Sequence, residues 1–428
     1  MEEKGLIYDV KLSSIGPGNV TGPDSIFEPG SMGLAMKLHY LRGVYYLERP
    51  AFEGLSTLEI KEPMFTWLNQ YPPTCGRFRR AESGRPYVKC NDCGVRFVEA
   101  KCGQTMAEWL EAQDLTAREA LLLTNHSIGP DLAFSPLIYI QLTKFKCGGA
   151  AVGLSWAHLL GDAFSATEYM NSLGRVVAGC GPNRPINLGH TTPKPVNSNG
   201  WPKVVAEPLS IKRVDPPVGD DWTLLSSTKM DTFSFDVTPM QLSQIQTKLG
   251  LEFSSFEAIS AIMWKCIAKT RVEDSEPRIV TICKREEEHK NATHLRNGQV
   301  VSVVKAAGFS TAQADPSKLA SLMKNEAFDE THMIEEAMER EEGLADFIVY
   351  GANLTFVNLE EAGFYEFEYR GEKAIRVSYK MDGVGEKGLV MVLSGPKGEG
   401  RSVVVVVPEN EIGGLKMELE REGFGFGA

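Results

Sequence analysis

The sequence predicts an α/β protein of two domains, and three observations support this fold class. The chain has 428 residues, whereas single hydrophobic cores stop growing at about 250–300 residues, so the chain should divide. Hydrophobic residues make up 43% of it and charged residues 24%, which is the balance of a folded globular protein. Segments of helical and of strand character alternate in both halves, as they do in mixed α/β folds.

A proline-rich stretch supplies the domain boundary. Residues 179–221 contain eight prolines, and proline continues neither the interior of a helix nor a central strand. We therefore expect a crossover without regular structure over 179–221. The two domains should then comprise residues 1–178 and 222–428.

Local patterns predict the elements of the first half in order. Pro63 favours the first turn of a helix, Gly148 and Gly149 favour a turn between two strands, and apolar residues at helical spacing follow Asp162. The predicted elements are a helix over 63–69, strands over 87–90 and 95–100, a helix over 105–112, paired strands over 137–146 and 151–156, and a helix over 162–177.

The second half is predicted in the same way. A strongly apolar helix should be buried, with Ser254 or Ser255 as its N-cap. The predicted helices are 240–249, 256–270, 333–342 and 414–422, and the predicted strands are 354–357, 365–369, 374–379, 388–393 and 402–407.

Composition excludes several classes of partner. The net charge is −11 and no run of Lys and Arg occurs, which argues against nucleic acid as the main partner. It also removes the simplest route to an anionic membrane surface, a polybasic patch, so any membrane association is expected to come through a partner. The N-terminus MEEKGLIYDVKLSS has no apolar core of a secretory signal, and no stretch reaches the about 20 apolar residues of a membrane span. The eight cysteines are then expected as free thiols in a reducing compartment.

The segment that could carry chemistry is Ser155-Trp156-Ala157-His158-Leu159-Leu160-Gly161-Asp162. It places His158 where a strand ends and Asp162 where a helix begins. An imidazole is well suited to accept a proton near neutral pH. The alternatives are a packed, hydrogen-bonded histidine and an aspartate that serves only as a helix N-cap.

Several segments in family order resemble the plant BAHD acyltransferases, which depend on acyl-CoA and carry H-x-x-x-D as their first signature. Pro73-Thr74-Cys75-Gly76-Arg77-Phe78 resembles the family's P-x-A-G-R segment. Residues 90–100, CNDCGVRFVEA, resemble its C-N-D-x-G-x-x-F-V-E-A strand pair, and Ser255-Phe256-Glu257-Ala258 opens a helix like the family's buried one. The resemblance covers nearly the whole chain.

This resemblance implies a two-domain fold of chloramphenicol-acetyltransferase type with a channel between the domains. His158 would lie in the channel as the general base that deprotonates an alcohol or amine attacking acyl-CoA. Asp162 would be structural and paired with an arginine of the second domain, which the sequence does not identify. No residue is assigned to cofactor binding, no bound cofactor is expected, and acyl-CoA would be a substrate.

Two segments depart from the family. The second signature, D-F-G-W-G, corresponds to Glu366-Phe367-Glu368-Tyr369-Arg370, so both glycines are replaced and their unusual backbone angles should be lost. Residues 279–304 lack the D-x-R and P-x-x-Y-x-G-N patterns of acylating members, and carry the acidic triplet 286–288 and Leu295-Arg296-Asn297-Gly298 instead.

These departures, together with residues 36–41 (MKLHYL) and 84–94 (GRPYVKCNDCG), resemble the eceriferum/Glossy subgroup of cuticular wax synthesis. The subgroup implies an accessory protein that promotes elongation of very-long-chain fatty acyl-CoA. Its partner would be a 3-ketoacyl-CoA synthase, the condensing enzyme of a fatty-acid elongase, and very-long-chain acyl-CoA could itself bind. We expect a monomer on the cytosolic face of the endoplasmic reticulum, with the cytoplasm as the alternative.

The alternative function is that of an acyl-CoA-dependent O- or N-acyltransferase with His158 as general base. No metal site is expected, and we interpret Cys90, Cys93 and Cys102 as structural thiols. The alternative is a zinc site formed by these three cysteines, for which His126 is the nearest later histidine. Gly383-Val384-Gly385 is expected to form a hairpin turn, with a phosphate-binding loop as the alternative.

Overall fold

The computed structural model describes residues 5–112, 114–180, 207–286 and 295–425. The strands, in chain order, are β1 (Ile7–Ile15), β2 (Ile26–Phe27), β3 (Tyr40–Leu47), β4 (Arg77–Arg80), β5 (Pro86–Lys89), β6 (Val95–Cys102), β7 (Ile138–Lys144), β8 (Ala150–Ala157), β9 (Lys212–Arg213), β10 (Met230–Val237), β11 (Ile279–Arg285), β12 (Gln299–Lys305), β13 (Phe328–Asp329), β14 (Phe347–Ile348), β15 (Leu354–Leu359), β16 (Glu368–Tyr369), β17 (Glu372–Lys373), β18 (Arg376–Asp382), β19 (Leu389–Ser394) and β20 (Arg401–Pro408). The helices are α1 (Ser31–Ala35), α2 (Thr57–Leu68), α3 (Met106–Leu110), α4 (Leu115–Glu119), α5 (Ala163–Val177), α6 (Pro239–Leu249), α7 (Ser255–Thr270), α8 (Pro316–Asn325), α9 (Thr331–Arg340) and α10 (Ile412–Arg421).

Two large mixed sheets organise the described residues. One has six strands in the order β1-β6-β7-β8-β3-β18, and the other has seven in the order β10-β20-β19-β15-β11-β12-β13. β18 comes from the second half of the chain but pairs antiparallel with β3, Arg376 opposite Tyr46 and Asp382 opposite Tyr40. The second half therefore completes the sheet of the first half.

The hydrophobic core follows this arrangement. The largest cluster combines first-half residues such as Leu41 and Trp156 with second-half residues such as Phe367 and Met391. A second cluster surrounds α7, in which Trp264 is fully buried, as the apolar sequence of this helix predicts. Burial of apolar surface across the seam between the sheets thus holds the two halves together.

The helices α7 and α2 begin where a side chain caps the free backbone N–H groups of the first turn. Ser254 accepts a hydrogen bond from the N–H of Glu257 and so caps α7, which confirms the first of the two predicted caps. The predicted start at Pro63 is wrong, because α2 begins at Thr57 behind a capping box made by Ser56 and Glu59. The Ser-x-x-Glu pattern marks this start, and Pro63 lies inside the helix.

Three predictions made from local patterns are wrong: one concerns a strand, and two concern which strands pair. Residues 365–369 form a short turn followed by the two-residue β16 and not a longer strand. β5 and β6 are strands but belong to different sheets, whereas the predicted pair β7 and β8 is confirmed. Residues 383–385 connect β18 and β19, which also lie in different sheets, so this turn is a crossover and not a hairpin. Strand pairing over long distances is not visible to local patterns.

The proline-rich crossover is only partly described. Residues 181–206 lie outside the described part of the chain, and the part that follows contains β9, which pairs with β14. The domain boundaries stay a prediction. No helix among the described residues combines the length and apolar character that crossing a membrane requires.

Candidate functional site

His158 directly follows β8, at the carboxyl end that the sequence predicts. Its backbone N–H donates to the carbonyl of His39 at 3.1 Å. Its own carbonyl accepts from the Asn297 side-chain amide at 3.0 Å. The first half and the segment after β11 therefore both fix the backbone that carries the imidazole.

Asp162 is the N-cap of α5, as predicted. One carboxylate oxygen accepts the N–H of Ser165 at 3.0 Å, and the other accepts the N–H of Gly298 at 2.9 Å. Burial raises the pKa of Asp162, while these hydrogen bonds and the positive charge of Arg296 act in the opposite direction. Arg296 is the arginine that acts on Asp162, but backbone N–H groups and not its guanidinium hold the carboxylate.

The segment 295–298 docks onto the turn between His158 and Asp162. The carbonyl of Arg296 accepts the N–H of Asp162 at 3.1 Å and the hydroxyl of Ser165 at 2.9 Å. A Cβ at Gly161 would lie 2.7 Å from Cβ of Ser165 and 3.0 Å from the N atom of Arg296. The close approach of these two segments therefore requires glycine at position 161.

Tyr350 is the side chain that meets the imidazole. Its hydroxyl lies 3.0 Å from Nε2 of His158 and donates to Oε1 of Gln299 at 2.6 Å. The tyrosine and histidine rings are 5.3 Å apart, centre to centre, in an edge-to-face arrangement. Nε2, the nitrogen expected to take a proton from an acceptor, is thus occupied by the protein itself.

His39 completes the cluster from the first half. Its Nε2 accepts the backbone N–H groups of Val349 and Tyr350 at 3.1 and 3.3 Å. Its ring lies 4.9 Å from the ring of Tyr350 and 6.4 Å from that of His158. His39 therefore positions the backbone from which the Tyr350 side chain extends.

Both imidazoles are fully buried, with exposed fractions of 0%. Burial lowers the pKa of His158 to about 4. Burial, and then the nearby His158, lowers the pKa of His39 to about 3. A desolvated imidazole favours its neutral form, so both rings are neutral at physiological pH. The expectation that a channel exposes His158 to solvent is not met, because the ring is fully buried and its Nε2 faces Tyr350.

The two aromatic residues in the counterpart of the second signature pack into the core, while Glu366 and Arg370 are exposed. Phe367 is fully buried against Tyr45 at 4.9 Å between ring centres, and Tyr369 stacks on Phe52 at 4.7 Å. Arg370 has a φ of +54°, in the left-handed region that favours glycine. The expectation that these replacements abolish the unusual backbone angle is therefore wrong at Arg370, where the angle persists without the glycine.

We expect Arg370→Gly to raise the free energy of unfolding by about 0.5–1 kcal/mol, since a non-glycine residue in this region costs about 1–2 kcal/mol and glycine returns part of that as unfolded-state entropy. Urea denaturation of both proteins measures this difference. Arg370→Ala is the control, because it removes the side chain and keeps the strain. Equal stability of the Gly and Ala variants would contradict the strain argument.

Two further features of the sequence are the altered segment 279–304 and the three cysteines considered as zinc ligands. β11 and β12 pair with each other, while Glu287 and Glu288 of the acidic triplet lie outside the described residues. Cys90 and Cys102 are buried and Cys93 is exposed. In the ranges that the structure describes, no three His, Cys, Asp or Glu side chains gather as a metal site would require.

Sequence reasoning missed Tyr350 and Gln299, and it used His39 only as part of a resemblance. None of the three lies in a catalytic pattern, and Tyr350 is far from His158 along the chain. A buried hydroxyl that reaches a histidine from another element leaves no periodic or spacing signal.

Comparisons with known proteins agree on one family. The model of the Transferase family matches residues 42–422. Protein ECERIFERUM 26 of Arabidopsis thaliana is 40% identical over 98% of this chain and 97% of its own length. Protein ECERIFERUM 2 of the same plant is 36% identical over 97% of this chain and 99% of its own length. The crystal structure of vinorine synthase superposes with a TM-score of 0.72 at 15% identity, over 97% of this chain and 98% of that one, and shows the same two-domain fold.

Proposed function

Because this chain belongs to the Transferase family of BAHD type and to its eceriferum subgroup, we propose that it promotes elongation of very-long-chain fatty acyl-CoA for cuticular wax. In this role it is the accessory partner of a 3-ketoacyl-CoA synthase, the condensing enzyme of a fatty-acid elongase. It works as a monomer at the cytosolic face of the endoplasmic reticulum. The long acyl-CoA is a second molecule that it binds.

One observation carries this proposal beyond the resemblance. The imidazole of His158 is fully buried, and its Nε2 faces the hydroxyl of Tyr350 at 3.0 Å. A general base must reach the proton of its substrate within hydrogen-bond distance. A histidine whose Nε2 is already hydrogen-bonded within the protein supports a role that does not depend on proton transfer.

We expect elongation to survive the loss of the imidazole. Co-expression of a 3-ketoacyl-CoA synthase with the unmodified protein, His158→Ala or His158→Gln should give the same distribution of product chain lengths. Gln is the matched variant, because it can still hydrogen-bond to Tyr350 but cannot act as a base near neutral pH. Chain lengths of the fatty acids formed are the readout, by gas chromatography.

A folding control belongs to this experiment, because truncation of a buried side chain leaves a cavity that costs about 2–5 kcal/mol. Circular dichroism and the soluble yield show whether each variant folds. Loss of the longest products by a folded His158→Gln variant would refute the accessory role.

The second candidate is an acyltransferase that uses acyl-CoA and an alcohol or amine. It is favoured by the family-like placement of His158 at a strand end and of Asp162 as the cap of α5. The purified protein would then release free CoA from an acyl-CoA in the presence of an acceptor, and His158→Gln would abolish that release. No CoA release with a broad panel of acceptors would count against this candidate.

A further inference from the structure

The surroundings of His158 are polar but incompletely paired. Nε2 of Gln299 is buried and has no hydrogen-bond partner within the described part of the chain, whereas the imidazole of His158 hydrogen-bonds to the Asn297 side chain and that of His39 to the Gly383 backbone. Each unpaired buried polar group costs about 1–3 kcal/mol. An apolar residue would carry no such cost, so stability alone does not explain the buried Gln299 beside Tyr350.

The backbone beneath Tyr350 is fixed. Its carbonyl accepts the N–H of Gly385 at 2.9 Å, and its N–H donates to His39. A Cβ at the next residue, Gly351, would lie 2.4 Å from the carbonyl oxygen of Gly385. Since the backbone segments touch so closely, Tyr350 can leave His158 only by rotation of its side chain.

The tyrosine hydroxyl lies where an acceptor hydroxyl would have to lie. Proton abstraction requires an O–H group within about 2.6–3.2 Å of the base, and the Tyr350 hydroxyl lies 3.0 Å from Nε2. Tyr350 itself is fully buried, and its ring lies 5.3 Å from the imidazole, centre to centre.

We propose that the Tyr350 side chain occupies a binding site for a phenol or alcohol at His158 and thereby withholds this histidine from substrates. The inference rests on the proposed accessory function and deepens it, since it names the residue that makes the family's catalytic histidine unavailable. Removal of the Tyr350 ring opens a cavity at Nε2 that binds phenol, the fragment removed by Tyr350→Ala.

Carbethoxylation by diethyl pyrocarbonate, read at each histidine by mass spectrometry, tests this directly. The reagent attacks neutral imidazole, and His158, with a pKa lowered to about 4, is neutral near pH 7. Its rate therefore reports access and not protonation. In the unmodified protein we expect His158 to react at least about tenfold more slowly than the exposed His332.

Tyr350→Ala should raise the rate at His158 by about tenfold or more, because the covered state then disappears. Tyr350→Phe should stay close to the unmodified protein, because its ring still fills the site. Tyr379→Ala is the matched control, a buried tyrosine that does not contact His158. Millimolar phenol should restore protection in Tyr350→Ala, whereas benzene, which lacks the hydroxyl, should protect less.

Two results would overturn the inference. One is a His158 that reacts as fast as His332 in the folded, unmodified protein, a measurement that needs no variant. The other is a folded Tyr350→Ala, or Tyr350→Leu if the Ala variant does not fold, in which His158 reacts no faster than in Tyr379→Ala. The elongation assay is separate: a protected His158 together with elongation lost in His158→Gln would sink the proposed function and leave this inference standing.

Discussion

Lowering the pH from about 7 to about 5 is expected to reduce the free energy of unfolding by about 3–4 kcal/mol through His39 and His158 alone. Burial lowers their pKa values to about 3 and about 4 from an ordinary 6.5. Below pH 6.5 the unfolded chain takes up two protons that the folded protein excludes. Stability from these groups is therefore complete above that pH and is lost as the pH falls.

Urea denaturation at the two pH values measures this loss. His158→Gln should remove about half of the pH dependence, because one of the two buried imidazoles is then absent. Buried carboxyls such as Asp162 also contribute to the pH dependence of the free energy of unfolding. Because they are present in both proteins, their contribution drops out of the difference between His158→Gln and the unmodified protein. His332→Gln, at a position where the side chain is 59% exposed, is the control and should retain the loss that the two buried imidazoles cause. An unaltered slope in His158→Gln would show that this imidazole is not held neutral.

The second large effect is expected at the buried ion pair between Lys37 and Asp346. The ammonium lies 2.6 Å from the carboxylate, and the side chains are 4% and 2% exposed. Asp346 also accepts the N–H of Val218 at 2.7 Å. Asp346→Ala should cost about 3–5 kcal/mol, because it leaves a buried ammonium uncompensated. The midpoint and slope of urea denaturation give this value.

The double variant Lys37→Met with Asp346→Leu should recover most of that loss, since apolar residues of similar volume replace a buried pair at little cost. Glu409→Ala is the control, because Lys229 and Glu409 are 76% and 51% exposed and solvent screens an ion pair at the surface. A double variant as unstable as Asp346→Ala alone would contradict the argument from the unpaired charge.

Much of the secondary structure could be predicted because it depends on neighbours in sequence. α5 and α7 follow from apolar spacing and an N-cap, and β7 and β8 follow from two apolar runs around a glycine turn. The sequence patterns did not predict strands that combine apolar residues with charged residues or glycine, such as β3, which contains Arg42 and Gly43. Burial of Arg42 depends on Asp382, which reaches it from β18 at 2.8 Å, and no local pattern contains that partner.

The candidate site divides in the same way. His158 and Asp162 could be placed because a strand end and a helix cap are local features. The state of the imidazole could not be predicted, because it depends on Tyr350 and Gln299 from distant segments. A motif thus gives the position of a functional group, while its availability depends on which side chains the tertiary fold brings against it.

The pairing of β18 with β3 limits how this protein can be recombined. In a chimera that joins one protein's first half to another's second half, the edge strand β18 of the first sheet comes from the other protein. The seven residues of that strand must then pair in register with a β3 of different sequence. Exchange of segments among relatives should therefore succeed when residues 376–382 come from the same protein as the first half, whose sheet they complete. It should fail more often when they come from the protein that supplies the rest of the second half.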